Sequence, residues 1–137
     1  MKKVNLFSRI FGARAAARRR SRKIQKKIDK KTEVLVRAWV GAKGYCRSQQ
    51  LEQAAESIGV GAEQLAYYFN KRGTTFTAWR KELRIEEAKA LLVNRPGLPA
   101  SRIGELVGIP DRSNFNKRFK EVTGLLPSEW RRLNAGK

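Results

Sequence analysis

Residues 54–69 read AAESIGVGAEQLAYYF, and residues 103–119 read IGELVGIPDRSNFNKRF. The second stretch rewrites the first. Gly104 stands 49 positions after Ala55, and Gly108 stands 49 after Gly59. Phe115 and Phe119 stand 50 after Leu65 and Phe69. Further on, Pro127-Ser128-Glu129-Trp130-Arg131 parallels Phe76-Thr77-Ala78-Trp79-Arg80 at an offset of 51. A single amphipathic stripe arises easily by chance. The ordered return of small residue, glycine, apolar pair and Trp-Arg marks two related subdomains.

Each copy reads as two helices around a tight turn. Leu51, Ala54, Ala55 and Ile58 fall at i, i+3, i+4 and i+7, the buried stripe of an amphipathic helix. Ser48 is the expected N-cap. Gly59 is expected to end the helix at positive φ. A second helix with Leu65 and Phe69 inward follows, and together they make a helix-turn-helix. Ala55 is expected at the crossing, where a larger side chain would separate the helices. In the second copy Asp111 is expected to cap the helix that carries Phe115 and Phe119.

Between the copies, residues 76–93 predict a long helix. At about 100° per residue, Phe76, Trp79 and Leu83 share one side, and Ile85, Ala88 and Leu92 nearly the opposite one. Lys81, Glu82, Glu86, Glu87 and Lys89 lie between them, so the helix is not buried all round. It reads as a linker with one face on each subdomain. Arg95-Pro96-Gly97-Leu98-Pro99 ends it. The expected fold is all-α: two helix-turn-helix subdomains, about 33–75 and 94–133, joined by a linker helix, with a basic N-terminal arm at 1–31.

The charge divides unevenly. The 137 residues carry 31 Lys and Arg against 12 Asp and Glu, a formal +19. Residues 1–31 hold 13 basic side chains and one acid, Asp29, hence +12; residues 32–137 hold 18 and 11, hence +7. Such self-repulsion calls for a polyanionic partner. No Gly or Pro occurs from Ala13 to Val40, so the arm is expected to become helical once its charge is neutralised. Leu6, Phe7, Ile10 and Phe11 would share a helical face, which permits a membrane-surface reading but is expected rather to dock on the domain or to lie in an unstructured tail. Ile24, Ile28, Leu35 and Trp39 hint at a short coiled-coil seam, with Lys31 at a core position.

Absences narrow the chemistry. There is no histidine, so histidine acid–base catalysis and His-ligated zinc are excluded. The single Cys46 permits neither an internal disulfide nor a Cys-x-x-Cys pair, and it reads as a small packing residue. No apolar run reaches the roughly 18 residues of a membrane span. Arg9 and Arg14 interrupt the N-terminus before a signal-peptide core forms. No metal, cofactor or enzymatic activity is expected, and no membrane contact.

Leu51–Arg132 resembles the DNA-binding domain of the AraC/XylS family of bacterial transcription regulators. The resemblance lies in Gln64–Phe69, Phe76, Leu83–Leu92, Ile103–Ile109, Asp111–Phe115, Phe119-Lys120, Gly124, Pro127 and Trp130-Arg131. Three positions depart: Gly104 stands for the usual alanine, at about 1 kcal/mol of helix propensity, Ile109 for phenylalanine, and Gly61 for a serine cap. The residues before Leu51 cannot supply a separate effector-binding domain. The chain therefore resembles small stand-alone members, or a fragment of a larger regulator.

The resemblance implies a cytoplasmic, nucleoid-associated regulator of transcription on double-stranded DNA, with RNA polymerase as a candidate second partner. The second helix of each subdomain would enter the major groove. Base reading then falls to Glu63 and Tyr67 in the first, and to Arg112, Ser113, Asn116 and Lys117 in the second. Arg112 and Lys117 suit guanine and Asn116 suits adenine, so the second helix is expected to dominate specificity. Lys71, Lys120 and the arm residues Arg18, Arg19, Arg20, Arg22 and Lys23 are expected on the phosphate backbone. Two readers in one chain, about 34 Å apart, would let a monomer bind an asymmetric site of roughly 15–20 bp. The alternative is a basic RNA-binding or ribosome-associated protein, which the charge fits equally and the repeat does not explain.

Overall fold

The computed structural model describes residues 6–135. Seven α-helices occur among them: α1 Leu6–Gly41, α2 Leu51–Ile58, α3 Ala62–Lys71, α4 Phe76–Asn94, α5 Ala100–Leu106, α6 Arg112–Thr123 and α7 Pro127–Asn134. A 3-10 turn, Gly44–Cys46, joins α1 to α2. No strand is present among the described residues. Nor is any helix among them long and apolar enough to cross a membrane.

Two cores form, one per subdomain. The first collects Val36, Trp39, Ala54, Ala55, Ile58, Leu65, Phe69 and Phe76. The second collects Ile85, Ala88, Leu92, Ile103, Val107, Phe115 and Phe119. α4 serves both, as its two apolar faces predict: Phe76, Trp79 and Leu83 pack on the first core, and Ile85, Ala88 and Leu92 on the second. Cys46 packs against both clusters. Burial and the neighbouring Glu87 push its thiol pKa up, so it is a packing residue with little thiolate.

The turns behave as their residues require. Gly59 closes α2 at φ 95°, with its N–H donating to the Ala55 carbonyl. Asp111 caps α6, accepting from the Asn114 N–H at 2.7 Å. The expected Ser48 cap is wrong. α2 starts three residues later, after Gln50, whose N–H donates to the Gln53 side chain at 3.0 Å. The run Arg47-Ser48-Gln49-Gln50 offers several polar candidates, and the 3-10 turn before it sets which one lands at the helix start.

At Gly104 the missing side chain is a packing requirement. A Cβ there would lie 2.9 Å from both the Ile109 carbonyl oxygen and Phe115 Cγ. The lost helix propensity accompanies a closer approach of α5 to α6 than alanine permits. Gly44 is tighter still: a Cβ there would overlap the Trp39 indole. Gly44→Ala should therefore displace a core tryptophan and cost about 1–3 kcal/mol, the usual penalty of overpacking. The midpoint of denaturant unfolding reads this directly; an unchanged midpoint would show that the indole moves freely.

The N-terminal arm is the largest departure. α1 runs without interruption through the charge boundary at 31/32. Only its C-terminal part joins the first core, through Thr32, Leu35, Val36 and Trp39. The coiled-coil seam is split accordingly: Trp39 is buried and Leu35 packs on the core, while Ile24 and Ile28 are exposed. Leu6, Phe7, Ile10 and Phe11 lie in regular helix and are exposed, neither in a tail nor docked on the domain.

Candidate nucleic-acid interface

Burial of one side of α3 and α6 selects which side faces out. Leu65, Tyr68 and Phe69 anchor α3; Phe115 and Phe119 anchor α6. Glu63 and Tyr67 are then exposed on α3, and Arg112, Ser113, Lys117 and Lys120 on α6. Asn116 is half-buried. It lines a cleft of about 190 Å³ between α6, the start of α5 and the start of α7, with Arg112, Ala100, Ser101 and Ser128. The first subdomain has its counterpart, about 250 Å³, lined by Leu51, Ala66, Asn70, Thr75 and Thr77. Ala66 and Asn116 occupy matching positions of the repeat, as do Thr77 and Ser128. Each outward helix thus has beside it a recess bordered by the starts of two other helices.

The two surfaces differ in chemistry. α6 presents Arg112, Lys117 and Lys120, and α3 presents Glu63, Ala66 and Tyr67. Side chains suited to guanine therefore lie on α6.

α1 crosses the flank of α3 and engages two of its outward residues. Gln64 donates to Asp29 Oδ1 at 3.2 Å and to Thr32 Oγ1 at 3.3 Å. Lys71 Nζ pairs with Asp29 Oδ2 at 2.9 Å. Hydrogen bonding to Lys71 holds the Asp29 carboxyl below the ordinary carboxylate range. The arm's one acid thus sits where the arm meets the domain, on a side chain expected to contact phosphate. Sequence separation hides this contact, since Asp29 and Lys71 lie 42 residues apart. Arg18, Arg19, Arg20, Arg22 and Lys23 are all exposed on the projecting part of α1.

Cations to which the sequence assigns no site also gather in the gap between the subdomains. Arg84 Nε donates to the Tyr45 carbonyl at 2.5 Å and its Nη2 to the Arg47 carbonyl at 2.8 Å. Arg80 Nη1 donates to the Gln49 carbonyl. These side chains tie the segment between α1 and α2 to the linker helix. The signal was present: Arg80 and Arg84 lie four apart, on the strip of α4 between its two apolar faces.

A family model described as a helix-turn-helix domain matches residues 54–133. Among curated proteins, the arabinose operon regulatory protein of Salmonella typhimurium is 32% identical over 82 residues, 59% of this chain. The ornithine utilization regulator of Pseudomonas aeruginosa is 35% identical over 81 residues. The matches span only 29% and 24% of those two proteins. Among solved structures, the C-terminal domain of AraT, a response regulator from Geobacillus stearothermophilus, superposes with a TM-score of 0.61 at 24% identity. That match covers 85% of this chain and 86% of the other. A DNA-binding transcriptional dual regulator from Escherichia coli K-12 gives 0.65 at 17% identity, covering 80% and 94%. These two structures bear on the fold.

Proposed function

The chain belongs to the AraC-type helix-turn-helix family, and from that membership we propose that it regulates transcription by sequence-specific binding to double-stranded DNA. One observation carries the reading. Two repeat-related helices, α3 and α6, each turn a solvated face outward from separate cores that a single linker helix holds together. Inserted into successive major grooves, they would contact two half-sites of unlike sequence on one side of the duplex. A monomer suffices for such a site, and the site is asymmetric because the two faces are chemically different. Selection of bound duplexes from a random pool tests this. An asymmetric motif of roughly 15–20 bp is expected; a strict palindrome bound only by dimers would contradict it, and structured RNA outcompeting duplex DNA at fixed salt would favour the ribosome-associated alternative.

Glu63 and Tyr67 are proposed to read bases from α3, and Arg112, Ser113, Asn116 and Lys117 from α6. Lys120 is proposed to hold phosphate, and the exposed arm cations add backbone contact. Lys71 joins them only where DNA phosphate displaces Asp29. Replacing Arg112 with alanine should relax discrimination at one base pair by about 1–3 kcal/mol. The same replacement of Tyr67 should cost less specificity. Binding measured across single-base variants of the selected site decides the order, and a larger effect at Tyr67 reverses it. RNA polymerase contact and a place on the bacterial nucleoid are proposed as consequences of that role.

A further inference from the structure

A cleft of about 300 Å³ lies between the subdomains, walled by α4 on one side and by the start of α6 on the other. Arg80, Lys81, Arg84 and Arg118 line it, with Asp111 and Asn114. All four cations are half-buried, whereas the arm cations Arg18 to Lys23 are exposed. Their charge is poorly matched. Among the described residues neither Arg80 nor Arg84 has a carboxylate partner; both spend hydrogen bonds on backbone carbonyls. Arg118 makes no hydrogen bond or ion pair among them, and Lys81 meets Glu121 only at 3.7 Å. The Asp111 carboxylate, whose Oδ1 caps α6 by accepting from the Asn114 N–H, is the acid on the cleft wall, one against four cations. Burial, and after it the charge of Arg80, pushes the Arg84 guanidinium pKa down to about 10.

The position of the cleft matters as much as its charge. Thr77, on its rim, also lines the recess beside α3 that holds Ala66 and Asn70. Asn114 and Arg118 lie on the flank of α6 next to Ser113 and Lys117. The cleft therefore opens in the gap between the two outward helices. We propose that it is a phosphate seat, in which Lys81 and Arg118 grip a phosphoryl oxyanion while Arg80 and Arg84 supply the field. The oxyanion is a backbone phosphate of duplex spanning the two half-sites, or a free phosphate. The first source rests on the DNA-binding reading above; the second does not. A phosphate held here fixes the spacing between the half-sites, which neither outward helix can do alone.

The test uses the full chain and the double variant Lys81→Gln/Arg118→Gln, at the mouth of the cleft, away from both cores. Two quantities are read: the slope of log K against log salt on a duplex selected by the wild type, and the shift of the thermal midpoint in inorganic phosphate. A slope reduced by about 0.9, with base preference unchanged, supports the seat with duplex as the source. An unchanged slope with loss of the phosphate-induced shift supports it with free phosphate as the source. Equal slope and equal shift in wild type and variant overturn it. Glu121→Gln removes the competing carboxylate and is expected to tighten whichever interaction is present; it leaves the four cations in place and so guards against a folding artefact. A wild type with no sequence preference at all would defeat the DNA-binding reading and leave the phosphate measurement to decide the seat.

Discussion

Replacing Phe119 with alanine is expected to remove about 3–5 kcal/mol of stability, the usual result for a buried phenylalanine. Phe119 is fully buried on α6. Its ring meets Phe115 at 5.9 Å and the edge of Trp130 at 6.1 Å. A small domain holds only about 5–15 kcal/mol in total, so the loss falls on a large part of the reserve. It also falls unevenly. Trp130 belongs to the second core, whereas Trp39 and Trp79 stack at 5.9 Å in the first. In a urea titration followed by tryptophan emission, the variant should show an early transition from Trp130 and a later one from Trp39 and Trp79. A tryptophan-to-phenylalanine substitution at 130 assigns the early phase. DNA binding should be lost with that phase, although Phe119 touches no solvent. A single transition carrying all three tryptophans would instead show that α4 locks the cores into one cooperative unit.

That experiment turns on α4, the element most plainly written in the sequence. Its two apolar faces are explicable only if each meets a different partner, and a 19-residue helix is long enough for the pattern to repeat. The glycine turns and the Asp111 cap were equally plain, because each is fixed by its neighbours in the chain. The outward residues of α6 followed from knowing which side is buried. What escaped was non-local. Asp29 meeting Lys71 depends on the angle at which α1 crosses α3. The cluster of Arg80, Arg84 and Arg118 depends on how far apart the subdomains stand. Gly104 looked like a weakened helix, since propensity is a property of one helix and the approach of α5 to α6 is a property of two. The continuity of α1 follows from the lack of Pro between Leu6 and Gly41 and from its anchored end. Helix growth from a formed nucleus is easier than starting anew, so docking at Thr32, Val36 and Trp39 supports the turns before it.

A rigid arm changes what its charge can do. A flexible segment of +12 could neutralise a phosphate with nearly every cation, whereas a helix turns only one side toward a duplex. At about 100° per residue the exposed cations of α1 between Arg9 and Lys27 fall into three columns. Arg14, Arg18 and Arg22 form one, continuous with Gln25 and Asp29, which meet α3. Arg19, Lys23 and Lys26 form another, and Arg9, Arg20 and Lys27 the third. Whichever column faces DNA supplies about three contacts, each worth roughly 0.9 in the slope of log K against log salt. Changing that column to glutamine should lower the slope by about 2.7 and make binding about forty-fold less sensitive to a rise from 50 to 200 mM salt. The other two triple variants should leave the slope nearly unchanged, and all three should keep the base preference of the wild type. Equal losses from all three columns would mean that α1 unwinds on DNA and follows the backbone as a chain. No loss from any would remove the arm from the interface and leave its charge to another polyanion.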